Sequence, residues 1–270
     1  MLDIKQLTDY LNNILLDTPI AKSSAKNDYC PNGLQVEGKS EIKNIVTGVS
    51  ASLELINAAI KLNADAIIVH HGFFWKSESL CITNIKKNRI KALLDNNISL
   101  YAYHLPLDIN PDIGNNRMLG EHLEIFNNIT ELNNLNNSNI LDGLIYQGDI
   151  KGDIKHKSGM LFDDFENHLF KYLDHKPLAI KANDDPIKKV AWCTGAGQNF
   201  ITEAYEAGIT TFLSGEISEQ TVHQAKEMGV NYFACGHHAT ERYGVKALSD
   251  KLNGDNLNIN VKFIDLYIPV

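Results

Sequence analysis

Short apolar runs rich in β-branched and aromatic residues alternate with segments of helical periodicity along this chain, and the alternation occurs twice. In the first half, NIVTGVS (44–50) predicts a strand, SLELINAAIKLN (52–63) an amphipathic helix and DAIIV (65–69) a second strand. NRIKALLDNN (88–97) then predicts a helix and ISLYAYH (98–104) a third strand. In the second half, KVAWCTG (189–195), TTFLSGE (210–216) and NYFACGHH (231–238) predict strands, separated by helices at NFITEAYEAG (199–208) and EQTVHQAKEMG (219–229). Strands that alternate with helices need crossover connections, which impose a largely parallel sheet covered by helices. The two runs also lie over each other: GVSASLELINAAIKLNADAIIVHHG (48–72) faces GAGQNFITEAYEAGITTFLSGE (195–216), with weak identity but the same order of elements and turns. The expected fold is therefore α/β, as two similar α/β domains with mixed, largely parallel sheets.

The remaining segments set the expected boundaries. FNNITELNNLNNSN (126–139) is rich in Asn and poor in large apolar residues, and reads as a loop or linker. GLIYQGDI (143–150) reads as a strand and FDDFENHLFKYL (162–173) as a helix opening the second half. LNINVKFIDLYIPV (257–270) alternates with period two and reads as a last strand. The expected domains are 1–125 and 126–270, with the final strand a candidate to return to the first.

Composition excludes several function classes. The chain has 270 residues, 44% hydrophobic and 21% charged, ordinary values for a globular protein with a core in each of two domains. A net charge of −8 argues against a nucleic-acid partner, since phosphate-backbone affinity comes from clustered Lys and Arg. The densest basic run, KKNRIK (86–91), reads as a solvated helix face. Cys30, Cys81, Cys193 and Cys235 are far apart and form no C-x-x-C pair, so neither a zinc knuckle nor a redox motif is indicated. The start, MLDIKQLTDYLNNILLD, spaces Ile4, Leu7, Leu11, Ile14 and Leu15 as an amphipathic helix, not as a signal peptide. No apolar run approaches membrane-spanning length, so no membrane partner is expected and a reducing cytoplasm is the expected location.

Three clusters carry the chemistry, each at the carboxyl end of an expected strand. They are His70-His71, then His104 and Asp108 in YHLPLD, then His237, His238 and Glu241 in GHHATE. Ligands of open α/β sheets bind at that edge. Imidazole with carboxylate and no thiolate suits Zn, Mn, Fe, Co or Ni better than Ca or Mg. If a helix begins at His237, then His237 and Glu241 share a face. Glu241 is the candidate bridge between two ions about 3.5–4 Å apart, the usual arrangement of two-metal hydrolytic sites. His104 is a ligand, a supporting donor or a proton shuttle. His238 is expected to face away from His237.

Plainer readings hold elsewhere. His122, His156, His168 and His175 read as surface or packing residues, and His223 as an ordinary mid-helix residue. GAGQNF (195–200) lacks the third glycine of a dinucleotide fingerprint and reads as a tight turn. Ser214 and Glu216 occupy the place in the second half that His70-His71-Gly72 holds in the first. They either line the same cleft or form a plain turn.

With these residues, the sequence resembles the family of GTP cyclohydrolase 1 type 2 homologs, also called NIF-three-like proteins. The resemblance runs from DYCPNGLQVEG (28–38) through VHHGFFW and YHLPLD to SGEISEQTVHQA (214–225) and GHHATERYGVKAL (236–248). It implies two divalent metal ions per chain, one on His70, Asp108 and Glu241 and the other on His71, His237 and Glu241. It also implies two α/β domains with the metal site in the cleft between them, no large inserted domain, and a ring-shaped homohexamer. The family label implies hydrolytic opening of the guanine imidazole ring of GTP, although no basic glycine-rich loop for a triphosphate is evident; for such chemistry His104 and His238 are the candidate proton shuttles. Three functions are compatible with such a site: a metal-dependent hydrolase acting on a small molecule, a metal-handling or chaperone protein without catalysis, and a regulatory interaction protein whose metals staple its domains.

Overall fold

The computed structural model of the protein describes residues 1–132, 143–151 and 159–270. Two compact units emerge: Met1–Gly114 with Val245–Tyr267, and Asn115–Gly244 with Ile268–Val270. The division thus falls at Gly114/Asn115, not at 125/126.

The first unit is built on a five-stranded sheet in the order Asn260–Phe263, Asn44–Ser50, Ala66–His71, Ser99–Ala102, Gly33–Val36. The first four run parallel and Gly33–Val36 is antiparallel to its neighbour. Alternate residues of a strand face opposite sides of a sheet, so a strand covered on both faces must be apolar throughout. Val46, Ile67, Val69 and Leu100 bury one face with Leu55, Ile56 and Ala59 of helix Leu53–Lys61 and Leu93 of helix Asn84–Asp95. The intervening Ile45, Ala66, Ile68 and Tyr101 bury the other with Leu7, Leu11 and Leu15 of helix Ile4–Leu15 and with Val245, Leu248 and Leu252. Local signals set the helix starts: Ser52 accepts a hydrogen bond from Leu55 N at 3.1 Å, and Asp3 forms a capping box with Gln6. Each of the four parallel strands thereby delivers its carboxyl end to one edge of the sheet.

The second unit has a six-stranded sheet in the order Phe126–Glu131, Tyr146–Ile150, Lys189–Cys193, Thr211–Ser214, Asn231–Ala234, Leu178–Ile180. Its three central strands, Lys189–Cys193 to Asn231–Ala234, are parallel and the rest antiparallel. Val190, Trp192, Leu213 and Phe233 pack against Phe165, Leu169 and Leu173 of helix Phe162–Leu173. Ala191, Phe212 and Tyr232 pack against Ile201, Ala204 and Ala225 on the other face.

The two sheets share a four-stranded core. In each, an antiparallel strand comes first in the chain, three parallel strands follow, and the first-made strand lies beside the last of the three. The 126–139 segment departs from expectation, because Phe126–Glu131 is a strand paired with Tyr146–Ile150; 133–139 lies outside the described residues. Its single buried apolar side, at Phe126, is too little pattern to announce a strand. Of the 257–270 stretch, Asn260–Phe263 forms the strand. Among the described residues no helix is long and apolar enough to cross a membrane.

Candidate metal centre

In the first unit the sheet edge gathers three imidazoles. His70 is fully buried, and its Nδ1 lies 3.0 Å from the carbonyl oxygen of Tyr103. A carbonyl only accepts, so Nδ1 carries the proton and Nε2 the lone pair. His71 sits opposite Ser50 in the strand register, and its Nδ1 is 3.0 Å from Ser50 Oγ. His104 follows strand Ser99–Ala102, and its Nδ1 is 2.6 Å from Asp28 Oδ1, an acceptor that again leaves the lone pair on Nε2. The ring centroid of His70 is 4.4 Å from that of His71 and 5.0 Å from that of His104. One ligand nitrogen from each of the three lies within 4.8 Å of the others. Asp108 ends the one-turn helix Leu105–Asp108, with Oδ1 3.5 Å from His70 Nε2.

Asp28 is the residue that fixes His104. It has no exposed surface and receives four donors: Tyr29 N at 2.6 Å and His104 Nδ1 on Oδ1, Asn32 Nδ2 at 2.8 Å and Leu105 N at 3.0 Å on Oδ2. Burial pushes its carboxyl up, but the His104 and Asn32 hydrogen bonds outweigh that and hold it below the usual range. Asp28, Cys30 and His104 also form a ligand-type group. Burial and the Asp28 charge push the Cys30 thiol up to about 12, and the Asp28 oxygens are already engaged, so this group is a hydrogen-bonded support.

A helix, His237–Gly254, does begin at His237, and its residues up to Gly244 belong to the second unit. His237 Nε2 and Glu241 Oε2, one turn apart, are 3.0 Å from each other. Glu216 Oε1 accepts from His237 Nδ1 at 2.7 Å. Burial pulls the imidazole down, but Glu241 and then Glu216 overcome it and raise it to about 9. Beneath the pair runs Gly195, at φ +61°. A methyl group there would collide with Glu241 Oε1 and lie 3.1 Å from His237 Nε2. The Gly195 carbonyl accepts from Gly215 N at 2.9 Å, Glu216 N at 3.1 Å and Ser214 Oγ at 3.1 Å, and its N–H donates to Thr240 Oγ1 at 3.0 Å. GAG is thus a turn that ties two strand ends to the helix. Glu216 orients His237, whereas Ser214 is spent on the turn.

The other histidines divide as follows. His238 is buried, donates its N–H to the Val270 carbonyl at 3.2 Å, and joins no ligand-type group among the described residues. His122 stacks on Tyr243, and His168 stacks on Tyr172 while its Nε2 lies 2.7 Å from the Leu123 carbonyl. His175 packs against Gly236, and burial with Arg242 nearby lowers its basicity. His223 reaches Glu219 at 4.0 Å on the surface, and His156 lies outside the described residues. Sequence reading missed Asp28, Asn32 and Ser50. Asp28 and His104 are 76 positions apart, and no local spacing joins them.

These donors fit a divalent metal. Each of His70, His71, His104 and His237 has Nδ1 hydrogen-bonded to an oxygen, the arrangement that orients an imidazole to ligate through Nε2. Imidazoles accompanied by Asp108 and Glu241 match the preferences of Zn, Mn, Fe, Co or Ni.

Known proteins share this whole architecture. The chain is 48% identical over 263 residues to a GTP cyclohydrolase 1 type 2 homolog of Haemophilus influenzae, covering 96% of this chain and 100% of that one. The Escherichia coli K12 protein of the same name is 44% identical over 248 residues, covering 92% and 94%. Among solved structures, the structural-genomics protein ybgI, described as of unknown function, aligns over 100% of both chains at 41% identity and a TM-score of 0.88. TTHA1606 from Thermus thermophilus aligns over 100% of both at 26% identity and 0.83. The Duf34/NIF3 (NGG1p interacting factor 3) family pattern matches residues 2–268, and the chain belongs to that family.

Proposed function

We propose that this chain holds two divalent metal ions and uses them to hydrolyse a small molecule, with ring opening of GTP the candidate that its relatives' name supplies. His70, Asp108 and Glu241 would hold one ion and His71, His237 and Glu241 the other, Glu241 bridging. The supporting observation is the shared state of the four imidazoles, each tied through Nδ1 to an oxygen of its own unit. When bound, such a pair supplies water acidification and polarisation of a substrate oxygen. The protein's part is to fix these donors. Tyr103 O and Ser50 Oγ set the two strand-end rings, Glu216 sets His237, and the Gly195 turn leaves room for the Glu241 carboxylate. His104 or His238 would move protons. A homohexameric ring belongs to the same reading.

Elemental analysis of protein purified without chelator or nickel, beside Glu241→Ala, tests it first. About two ions per wild-type chain and few in the variant are expected, followed by metal-dependent turnover in a nucleotide panel. Metal without turnover across the panel favours metal handling or a regulatory role. No metal after reconstitution overturns the reading.

A further inference from the structure

We propose that Trp75 is a stacking platform for a planar heteroaromatic ring, and that this ring is the feature by which the chain selects its small-molecule substrate. The inference rests on the small-molecule reading above and assigns a residue to substrate recognition, separately from the metal ligands.

The run Phe73-Phe74-Trp75 leaves the sheet edge directly after His70-His71-Gly72, and its three rings are treated differently. Phe73 is buried, stacks on Phe74 at 4.9 Å and has the Arg89 guanidinium over it at 5.6 Å. Phe74 has the Lys86 ammonium over it at 5.4 Å. Trp75 is half-buried, and among the described residues no cation lies over it and no ring stacks on it. Its ring neighbours are His104, nearly perpendicular at 86° and 5.2 Å, and His71, tilted by 52° at 6.0 Å. Trp192 shows the contrast: it is buried, stacks on Phe126 at 4.9 Å and donates from Nε1 to the Asn116 carbonyl at 2.9 Å. The Trp75 N–H has no acceptor among the described residues. An unstacked indole with an unused donor suits the wall of a ligand site, not a core.

The backbone fixes this indole beside the imidazoles, all within the first unit. Glu78 N donates to the Trp75 carbonyl at 3.0 Å, and Lys76 N donates to the Tyr29 carbonyl at 2.8 Å. Tyr29 directly follows Asp28, which holds His104, so one short segment aligns the indole and the imidazole. A ring laid on Trp75 is thereby kept beside His71 and His104, and the indole N–H is left for an oxygen alongside that ring. Every nucleobase has a π face, so stacking admits purines broadly and gives nothing to sugar phosphates, which have no aromatic face.

Equilibrium dialysis of the full chain tests it, with guanosine 5′-monophosphate, adenosine 5′-monophosphate and ribose 5-phosphate as probes. Wild type should bind both nucleotides more tightly than ribose 5-phosphate. Trp75→Ala should weaken the nucleotides about 5–100-fold and Trp75→Phe much less, because an aromatic face is kept. Neither substitution should change ribose 5-phosphate binding or metal content. In Trp192→Phe, whose one indole is Trp75, the nucleotides should quench emission and ribose 5-phosphate should not. Unaltered nucleotide affinity in Trp75→Ala, an equal loss for ribose 5-phosphate, or lost metal in that variant overturns the inference. So does a wild type that binds neither nucleotide, or emission unmoved at nucleotide saturation. Nucleotide binding through Trp75 without turnover overturns hydrolysis alone. Turnover of a substrate with no aromatic ring, unaffected by Trp75→Ala, keeps hydrolysis and overturns the inference.

Discussion

Asp28, a carboxylate with no exposed surface, holds the imidazole of His104 through a 2.6 Å hydrogen bond between Oδ1 and Nδ1. It also receives the backbone N–H groups of Tyr29 and Leu105, so it joins the start of one loop to the end of a strand far along the chain. Asp28→Ala would strand several buried donors at once. The expected loss is about 2–3 kcal/mol, since hydrogen bonds to charged groups contribute about 1.5–3 kcal/mol each and the site partly relaxes. Urea unfolding measures it, and a loss below about 0.5 kcal/mol would contradict the role given to Asp28.

Gly195 and Gly208 make a matched pair. Both have positive φ, +61° and +75°, but an added methyl at Gly195 meets Glu241 and His237 whereas nothing lies within 4 Å at Gly208. Alanine at either should cost about 1 kcal/mol from backbone conformation alone. Only Gly195→Ala should also lower the metal content per chain, measured by elemental analysis. Equal metal in the two variants would show that the Glu241 carboxylate does not need the space that Gly195 provides.

Asp65 predicts a pH dependence remote from the histidines. It is buried, pairs with Lys39, and accepts from Lys43 N and Asn44 N at 2.8 Å each. Burial pushes its carboxyl up, but Lys39 and the two N–H groups prevail and its pKa in the fold is lowered. A carboxyl lowered in the folded state contributes stability in full above its unfolded value of about 3.9, and that stability is lost as pH falls through the folded value. Asp65→Asn should therefore be less stable than wild type by about 1–3 kcal/mol at pH 7. The gap should narrow below about pH 4. Unfolding curves from pH 7 to 3 check the sign; a gap that widens on acidification would be incompatible with it.

The two tryptophans offer a direct optical readout. Trp192 is buried in the second unit and donates from Nε1 to the Asn116 carbonyl at 2.9 Å, whereas Trp75 contacts the rings of His71 and His104. In Trp192→Phe all indole emission comes from Trp75. Co2+ or Ni2+ should quench it in step with uptake of the ion. Emission unchanged at full loading would separate Trp75 from the metal.

Much of this was legible in the chain because core and edge follow different rules. Runs such as Ile67-Ile68-Val69 announce strands buried on both faces, and the histidines that close them break the pattern, so they stand out. The helix at His237 and its pairing with Glu241 follow from spacing four. Strands Gly33–Val36 and Leu178–Ile180 were not legible, because each is short and held by a neighbouring strand more than by its own pattern. Helices Pro19–Asn27 and Asn115–His122 bury too few large apolar side chains to show a periodicity. The supports of the imidazoles were illegible for a further reason. Asp28 and Ser50 reach their partners across the fold, and a hydrogen bond between distant positions leaves no mark in local composition.

The strand order common to the two sheets accords with the sequence overlay of 48–72 on 195–216. At the end of the middle parallel strand one copy carries His70-His71-Gly72 and the other Ser214-Gly215-Glu216. Both tripeptides open on a fully buried residue, His70 in one and Ser214 in the other, so the difference between the halves is built into their packing. A shared architecture therefore does not by itself carry the chemistry, which rests on these short strand-end motifs.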